Sequence, residues 1–145
     1  MFDILNTKQI GNLTEMQCMI SFLKLGYNVL TPYGDCERYD FVADINGNFI
    51  KIQCKTSHSD DNGNSFRFSG RSTHYTNGHC IHEKYSKNEI DYFATIWKDK
   101  CYLIPVEECG SDKTLRINLP QNYQKKRVNF AEDYLLENIL LKNFN

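Results

Sequence analysis

Glu15, Asp40, Gln53 and Lys55 are the residues of this sequence best suited to act together on a phosphate ester. Breaking a phosphodiester requires neutralised charge on the phosphate and an activated water, and a Mg²⁺ ion supplies both. Hard cations of this kind take oxygen ligands. Glu15 and Asp40 offer two carboxylates, Gln53 a neutral side-chain oxygen, and the backbone carbonyl of Cys54 a further one. The Lys55 ammonium can orient the attacking water or steady the charge that develops on the way to product. Water and substrate oxygens would fill the remaining octahedral positions.

Such a set works only if the chain brings it together, and one hairpin does most of that. Residues 39–45 (YDFVADI) and 48–56 (NFIKIQCKT) flank Asn46-Gly47. Asn-Gly favours a type I′ turn because both central residues need φ > 0. With a two-residue loop the paired positions sum to 93, which sets Asp40 opposite Gln53 and Asp44 opposite Phe49. Side chains alternate along a strand, so Lys55 shares the face of Gln53. The other face carries Phe41, Ala43, Ile45, Ile50, Ile52 and Cys54, apolar throughout. A three-residue loop would shift the register by one and separate Asp40 from Gln53. Asp44 and Lys51 share the polar face nearer the turn and receive no role, and Asp35 and Glu37 read as solvated loop charges. Glu15 comes from a helix expected over residues 7–25. There Ile10, Leu13, Met16, Ile20 and Leu23 recur at three- and four-residue spacing and make one apolar face. Asn6 or Thr7 can cap its start and Gly26 can stop it.

Further along, 27–31 and 65–69 read as short strands, and 91–97 with 101–105 as a second hairpin around Lys98-Asp99. Residues 115–119 suggest another strand. Residues 70–87 are polar and without period, and read as a loop. A last helix is expected from Asn129 to about residue 142, with Glu132 completing a capping box. The order α, several β, α places the chain in the mixed α/β or α+β class.

The pattern Gly11-x-x-x-Glu15, an Asp opening a strand (Asp40) and Gln53-x-Lys55 resembles the PD-(D/E)XK nuclease superfamily. It looks like the branch of bacterial group I intron-encoded homing endonucleases, in which Gln replaces the second strand carboxylate. The resemblance covers residues 7–57 and continues more loosely through 89–94 (EIDYFA) and 102–105 (YLIP). It implies a restriction-endonuclease-like core, a central mixed β-sheet flanked by helices, with residues 1–145 as a single nuclease domain. It also implies Mg²⁺-dependent hydrolysis of double-stranded DNA, with Glu15, Asp40, Gln53 and Lys55 catalytic. Glu15, Asp40, Gln53 and the Cys54 carbonyl would be the metal ligands. A neutral Gln53 favours one tightly held ion over two. One site per chain and two strands to cut imply at least a homodimer. The rival readings are a structure-selective nuclease of Holliday-junction-resolvase type and an inactive DNA-binding or interaction module on the same fold.

Charge distribution agrees with a grip on phosphate. The net charge is −1, but residues 1–50 carry 3 Lys/Arg against 6 Asp/Glu (−3), residues 51–87 carry 6 against 3 (+3), and residues 88–145 carry 8 against 9 (−1). Arg67, Arg71, His74, Lys84 and Lys87, interleaved with Tyr75, His79 and His82, are the candidate DNA contacts. Lys125-Lys126-Arg127 is a second, shorter basic run. His79-Cys80-x-His82 could instead hold zinc, but no fourth ligand or finger-like spacing accompanies it. The six cysteines form no C-x-x-C pair, and no basic, apolar leader opens the chain, so reduced thiols in a cytoplasm are expected. No run approaches the ~20 apolar residues of a membrane span.

Overall fold

The Asn46-Gly47 turn sets the register of the central sheet. Both residues lie in the left-handed region, with φ of 53° and 92°. They join β2 (Phe41–Ile45) to β3 (Asn48–Cys54) in a pairing that sums to 93 throughout, Phe41 with Ile52 and Asp44 with Phe49. The Asp44 carboxylate accepts the Gly47 N–H at 2.7 Å and fastens the turn. The expected apolar face is the buried one: Phe41, Ala43, Ile45, Ile50 and Ile52 are all closed to solvent. The computed structural model describes residues 4–118, 122, 126 and 128–144.

Around this hairpin a five-stranded sheet forms in the order β1 (Asn28–Leu30), β2, β3, β8 (Tyr92–Trp97), β9 (Lys100–Pro105). The β3–β8 pair is parallel and the other pairs antiparallel, so the sheet is mixed. The β8–β9 turn is Lys98-Asp99, both at positive φ. Helix α1 (Thr7–Lys24) packs Phe22 edge-on against Phe41 at 5.5 Å. Helix α2 (Leu136–Phe144) sets Phe144 against Tyr92, and Tyr92 pairs with Ile52 on the Phe41 face. Both helices therefore flank the same side. The other side is covered by a small antiparallel sheet, β10 (Asp112–Arg116), β5 (Ser65–Ser69) and β4 (His58–Ser59). Phe66 stacks on Trp97 at 5.1 Å and Phe68 meets Phe93 at 5.7 Å across that second interface. No helix among the described residues is long and apolar enough to cross a membrane.

Four expectations are corrected. The α1 row that packs is Thr14, Cys18 and Phe22, not the aliphatic stripe Ile10, Leu13, Met16, Ile20, Leu23, which stays exposed. Small Thr and Cys let the helix axis approach the sheet, so the packing row need not be the most hydrophobic one. Residues 70–87 are not a loop: β6 (Arg71–Thr76) and β7 (His79–Lys84) form a two-stranded ribbon. A ribbon with no core side has no apolar period to read, but its Asn77-Gly78 turn repeats the Asn46-Gly47 signal. The strand expected at 115–119 is β10, three residues earlier at its start, and Leu119 lies outside the described residues. The Asn129–Glu132 capping box does not form. A 3₁₀ turn, Ala131–Tyr134, precedes α2, and the Asn129 side-chain oxygen accepts from the Tyr134 hydroxyl at 3.3 Å instead. Of the Lys125-Lys126-Arg127 run only Lys126 lies within the described residues. The helix α1 cap is formed as expected, Asn6 and Gln9 exchanging side-chain–backbone hydrogen bonds at 2.9 Å.

Gly70 joins the small sheet to the ribbon. A Cβ there would lie 2.5 Å from the Gly110 carbonyl oxygen and 2.6 Å from Cys109 Sγ. The Cys109 side chain can turn away, but the Gly110 backbone cannot. Gly70→Ala should therefore lower stability by about 1–3 kcal/mol, the usual cost of overpacking. Thermal unfolding should show a fall of several degrees, and an unchanged melting temperature would mean that the β5–β10 margin shifts freely.

Candidate active site

Asp40 sits one residue before β2, where the regular pairing ends, and its N–H donates at 2.8 Å to the carbonyl of Ile52, the residue already opposite Phe41. Its Oδ2 accepts the Cys54 N–H at 2.7 Å, so the carboxylate caps the end of β3. This bond fixes Asp40 against the residue that follows Gln53; the regular pairing ends at Phe41 with Ile52, so the expected direct pairing of Asp40 with Gln53 is not part of it. The Gln53 Nε2 donates to the Cys54 carbonyl at 3.4 Å, so the side chain of the first expected neutral ligand rests on the main-chain oxygen of the second. Lys55 follows on the same face. Its N–H donates to Ala94 at 2.9 Å and its carbonyl accepts the Thr95 hydroxyl at 2.6 Å, so its backbone is anchored on β8. Thr14 Oγ1 meets Thr56 Oγ1 at 3.4 Å, tying the α1 turn that carries Glu15 to the residue after Lys55.

The electrostatics of the site follow from burial. Burial raises the Asp40 carboxyl above its ordinary range, against the lowering effect of the Cys54 N–H and the Lys55 charge. Glu15 is also raised, first by burial and then by the Asp40 charge. Two partly buried carboxylates that disfavour their own ionisation form a set that a cation would relieve. Among the described residues no group of three or more His, Cys, Asp or Glu could hold a metal ion. An ion here would thus rest on two carboxylates completed by neutral oxygens, a donor set that fits a hard divalent cation.

The Lys55 ammonium is held by the root of the ribbon. Nζ donates to the Arg71 carbonyl at 2.9 Å and lies 4.9 Å from the Tyr85 ring centre. The Arg38 guanidinium stands over the same ring at 4.0 Å, paired with Glu89 at 3.1 Å and Glu83 at 3.5 Å, and donates to Ser72 at 2.9 Å. Tyr85 also meets Phe93 edge-on at 5.4 Å. Arg38 and Tyr85 escaped the sequence reading because contacts between residues so far apart in the chain leave no periodic trace. The one local hint was the position of Arg38 just ahead of Tyr39-Asp40.

The ribbon divides the expected DNA-contact residues. Arg71 pairs with Lys84, Thr73 with His82 and Tyr75 with Cys80, so these six share one face by alternation. His74 pairs with Ile81 on the opposite face, which also carries Ser72 and Glu83 against Arg38. Arg67 lies on β5 between His58 and Thr114, exposed on the outer side of the small sheet. Lys87 lies in the turn after the ribbon, 3.8 Å from Glu107. Arg71 and Lys84 therefore adjoin Lys55, whereas Arg67, His74 and Lys87 stand on other surfaces. His79 faces away from Cys80 and His82, so these three do not converge on a common ligand position.

The raised carboxylates carry a stability consequence. Their protonated forms suit the fold better, so their contribution is present at acid pH and is lost as pH rises through the raised folded values. Asp40→Asn removes the charge yet keeps an oxygen to accept the Cys54 N–H. Without divalent ions it should melt higher than the parent chain at neutral pH, and the difference should vanish at acid pH. Added Mg²⁺ should raise the melting temperature of the parent and leave the variant unmoved. A parent indifferent to Mg²⁺ would remove Asp40 from any metal site.

The chain matches the PD-(D/E)XK endonuclease family over residues 5–137. Among solved structures it is similar to that of a bacterial homing endonuclease, I-Ssp6803I, with a TM-score of 0.74 and 26% identity over 94% of this chain and 93% of the other. No curated protein matches it. The family match spans α1, the hairpin of Asp40 and Gln53-x-Lys55, the ribbon and the second hairpin. This chain belongs to the PD-(D/E)XK endonuclease family.

Proposed function

We propose that this protein is a Mg²⁺-dependent endonuclease that cuts both strands of DNA at a specific sequence, as a homodimer or higher homo-oligomer in a reducing cytoplasm. The observation that carries this is the convergence of Asp40, Gln53 and Lys55 at one end of the β2–β3 hairpin, with Glu15 within range of the Asp40 charge. The bacterial homing endonuclease with a similar structure supports the sequence-specific part of the reading.

Glu15 and Asp40 would hold the ion with the Gln53 amide oxygen and the Cys54 carbonyl. When bound, Mg²⁺ supplies phosphate neutralisation and a more acidic water. Lys55 then orients the water or donates to the phosphate oxygen that gains charge. One of its three N–H donors is held by the Arg71 carbonyl, which leaves the others for this role, and Tyr85 faces the same ammonium. The ribbon is the size of element that the major groove, ~12 Å wide, admits. Arg71 and Lys84 would meet phosphate beside the cleaved bond, while Thr73, Tyr75 and His82 on the same face reach outward along the groove.

Plasmid cleavage tests the assignment. Asp40→Asn or Glu15→Gln should abolish cutting in Mg²⁺ while binding in Ca²⁺ persists, and full cutting by Asp40→Asn would overturn the site. Lys55→Ala should slow single-turnover cleavage by about 10²–10³-fold, the range for losing one transition-state donor, with little change in binding. Equal losses in both would make Lys55 a phosphate anchor.

Tyr85 should separate from Lys55 in a recognisable way. Tyr85→Leu should lower the single-turnover rate without weakening binding, whereas Tyr85→Phe, which keeps the ring, should restore it. Arg71→Ala or Lys84→Ala should instead weaken binding to every duplex and lower the salt slope by roughly 0.9 each. If both Tyr85 variants cut like the parent, the ring does not position Lys55.

A further inference from the structure

We infer that the outward face of α1 is a self-association surface on which a second copy of this chain docks. Leu13, Met16, Ile20 and Leu23 are 46%, 56%, 45% and 53% exposed, and Ile10 beside them 37%. Their 3-4-3 spacing is that of a helix–helix seam. At 3.6 residues per turn this stripe points away from the buried row Thr14, Cys18 and Phe22. A helix apolar on both sides is buried on both sides in the finished assembly. Here only one side is covered by the chain itself.

The size of the stripe decides between a scattered surface and an interface. The free area of these five residues is on the order of 480 Å². A standard interface takes ~800 Å² per partner, of which ~56–65% is apolar, or roughly 450–520 Å². The stripe supplies that apolar share, and exposed Asn12 and Lys24 lie on its margin as a polar rim. Its character points to a copy of itself. In a two-fold contact, residues near the axis meet their own kind, so a charged border would repel. Asn12, Gln17 and Met19 along the borders are uncharged, and the charges that flank the stripe, Lys8, Glu15 and Lys24, are of mixed sign and spread along the helix. A partner recognised by charge finds no patch of one sign to pair with here.

This deepens the proposed oligomeric cleavage by assigning the surface, and it rests on that reading only for the cleavage arm of the test. Glu15 precedes Met16, so the contact would set the two site-bearing helices back to back. Sedimentation equilibrium should find the parent chain above the 17.0 kDa of a monomer. A Met16→Lys, Ile20→Lys chain should fall in mass at least twofold, with unchanged circular dichroism because neither side chain touches the core. A Met16→Glu, Ile20→Glu chain should do the same, and mixing the two should restore the larger species, which a misfolded variant would not do. On plasmid, each separated variant should nick while losing most linearisation, and the mixture should regain it. A monomeric parent, or a lysine variant that keeps the parental mass, overturns the inference. Absence of any cutting by a self-associating parent would instead count against the nuclease reading and leave the interface standing.

Discussion

A carboxylate that does not want its charge is held at the end of β3 by a single main-chain donor. The Asp40 Oδ2 to Cys54 N–H bond, 2.7 Å, joins the start of one strand to the end of the next. Everything else in the site takes its position from that junction. Gln53 and Lys55 flank Cys54, the residue that Asp40 holds, and share a face by alternation. Burial raises the Asp40 and Glu15 carboxyls; the Asp40 charge adds to the rise at Glu15, and the Cys54 N–H works against it at Asp40. The fold therefore spends stability on a pair of anions, the ordinary exchange at functional sites. The apolar face of the hairpin, with Phe41 and Ile52 wholly buried, supplies the compensation.

The second constraint is that the base of the ribbon and the site share parts. Arg71 opens β6 and Tyr85 follows β7, and both address Lys55. Arg38, two residues before Asp40, reaches Ser72 and Glu83 on the ribbon's other face. A ribbon with only two strands is marginal by itself, and these contacts fix its direction relative to the carboxylates. On the proposed reading, a ribbon that would meet DNA along its face and holds the Lys55 ammonium at its root would make cutting depend on docking.

How much of this was legible in the sequence follows from where the physics was local. The Asn46-Gly47 turn and strict alternation specified the hairpin, its register and its buried face, because all three are set within a few residues. The α1 cap was equally local. Which side of α1 would pack was not, since the choice between the Thr14 row and the Leu13 row depends on a sheet assembled from strands as distant as β9. The aliphatic stripe was read correctly as a face, but it is the outer one. The ribbon lacked a core side and so lacked the apolar period by which strands are recognised, although Asn77-Gly78 was as clear a turn signal as the one that was used. Arg38 and Tyr85 belong to the tertiary contacts that no spacing encodes.

Gln53 shows why a departure from the family's acidic pattern can suit this particular site. Two like charges about 4 Å apart at an effective dielectric of 20 repel by about 4 kcal/mol. Asp40 and Glu15 already resist ionisation here, so a third carboxylate at position 53 would add repulsion to both whenever no cation is present. An amide keeps an oxygen pointed at the same place without that cost, and its NH₂ can reach the Cys54 carbonyl, as it does at 3.4 Å. For the cation of the proposed site the consequence would be a weaker hold. A substrate phosphate that brings its own negative oxygens makes up the missing ligand charge, so binding of ion and of DNA should reinforce one another. On the proposed reading such a site would assemble fully only on its substrate, with the Lys55 ammonium already resting on the root of the ribbon that would meet DNA.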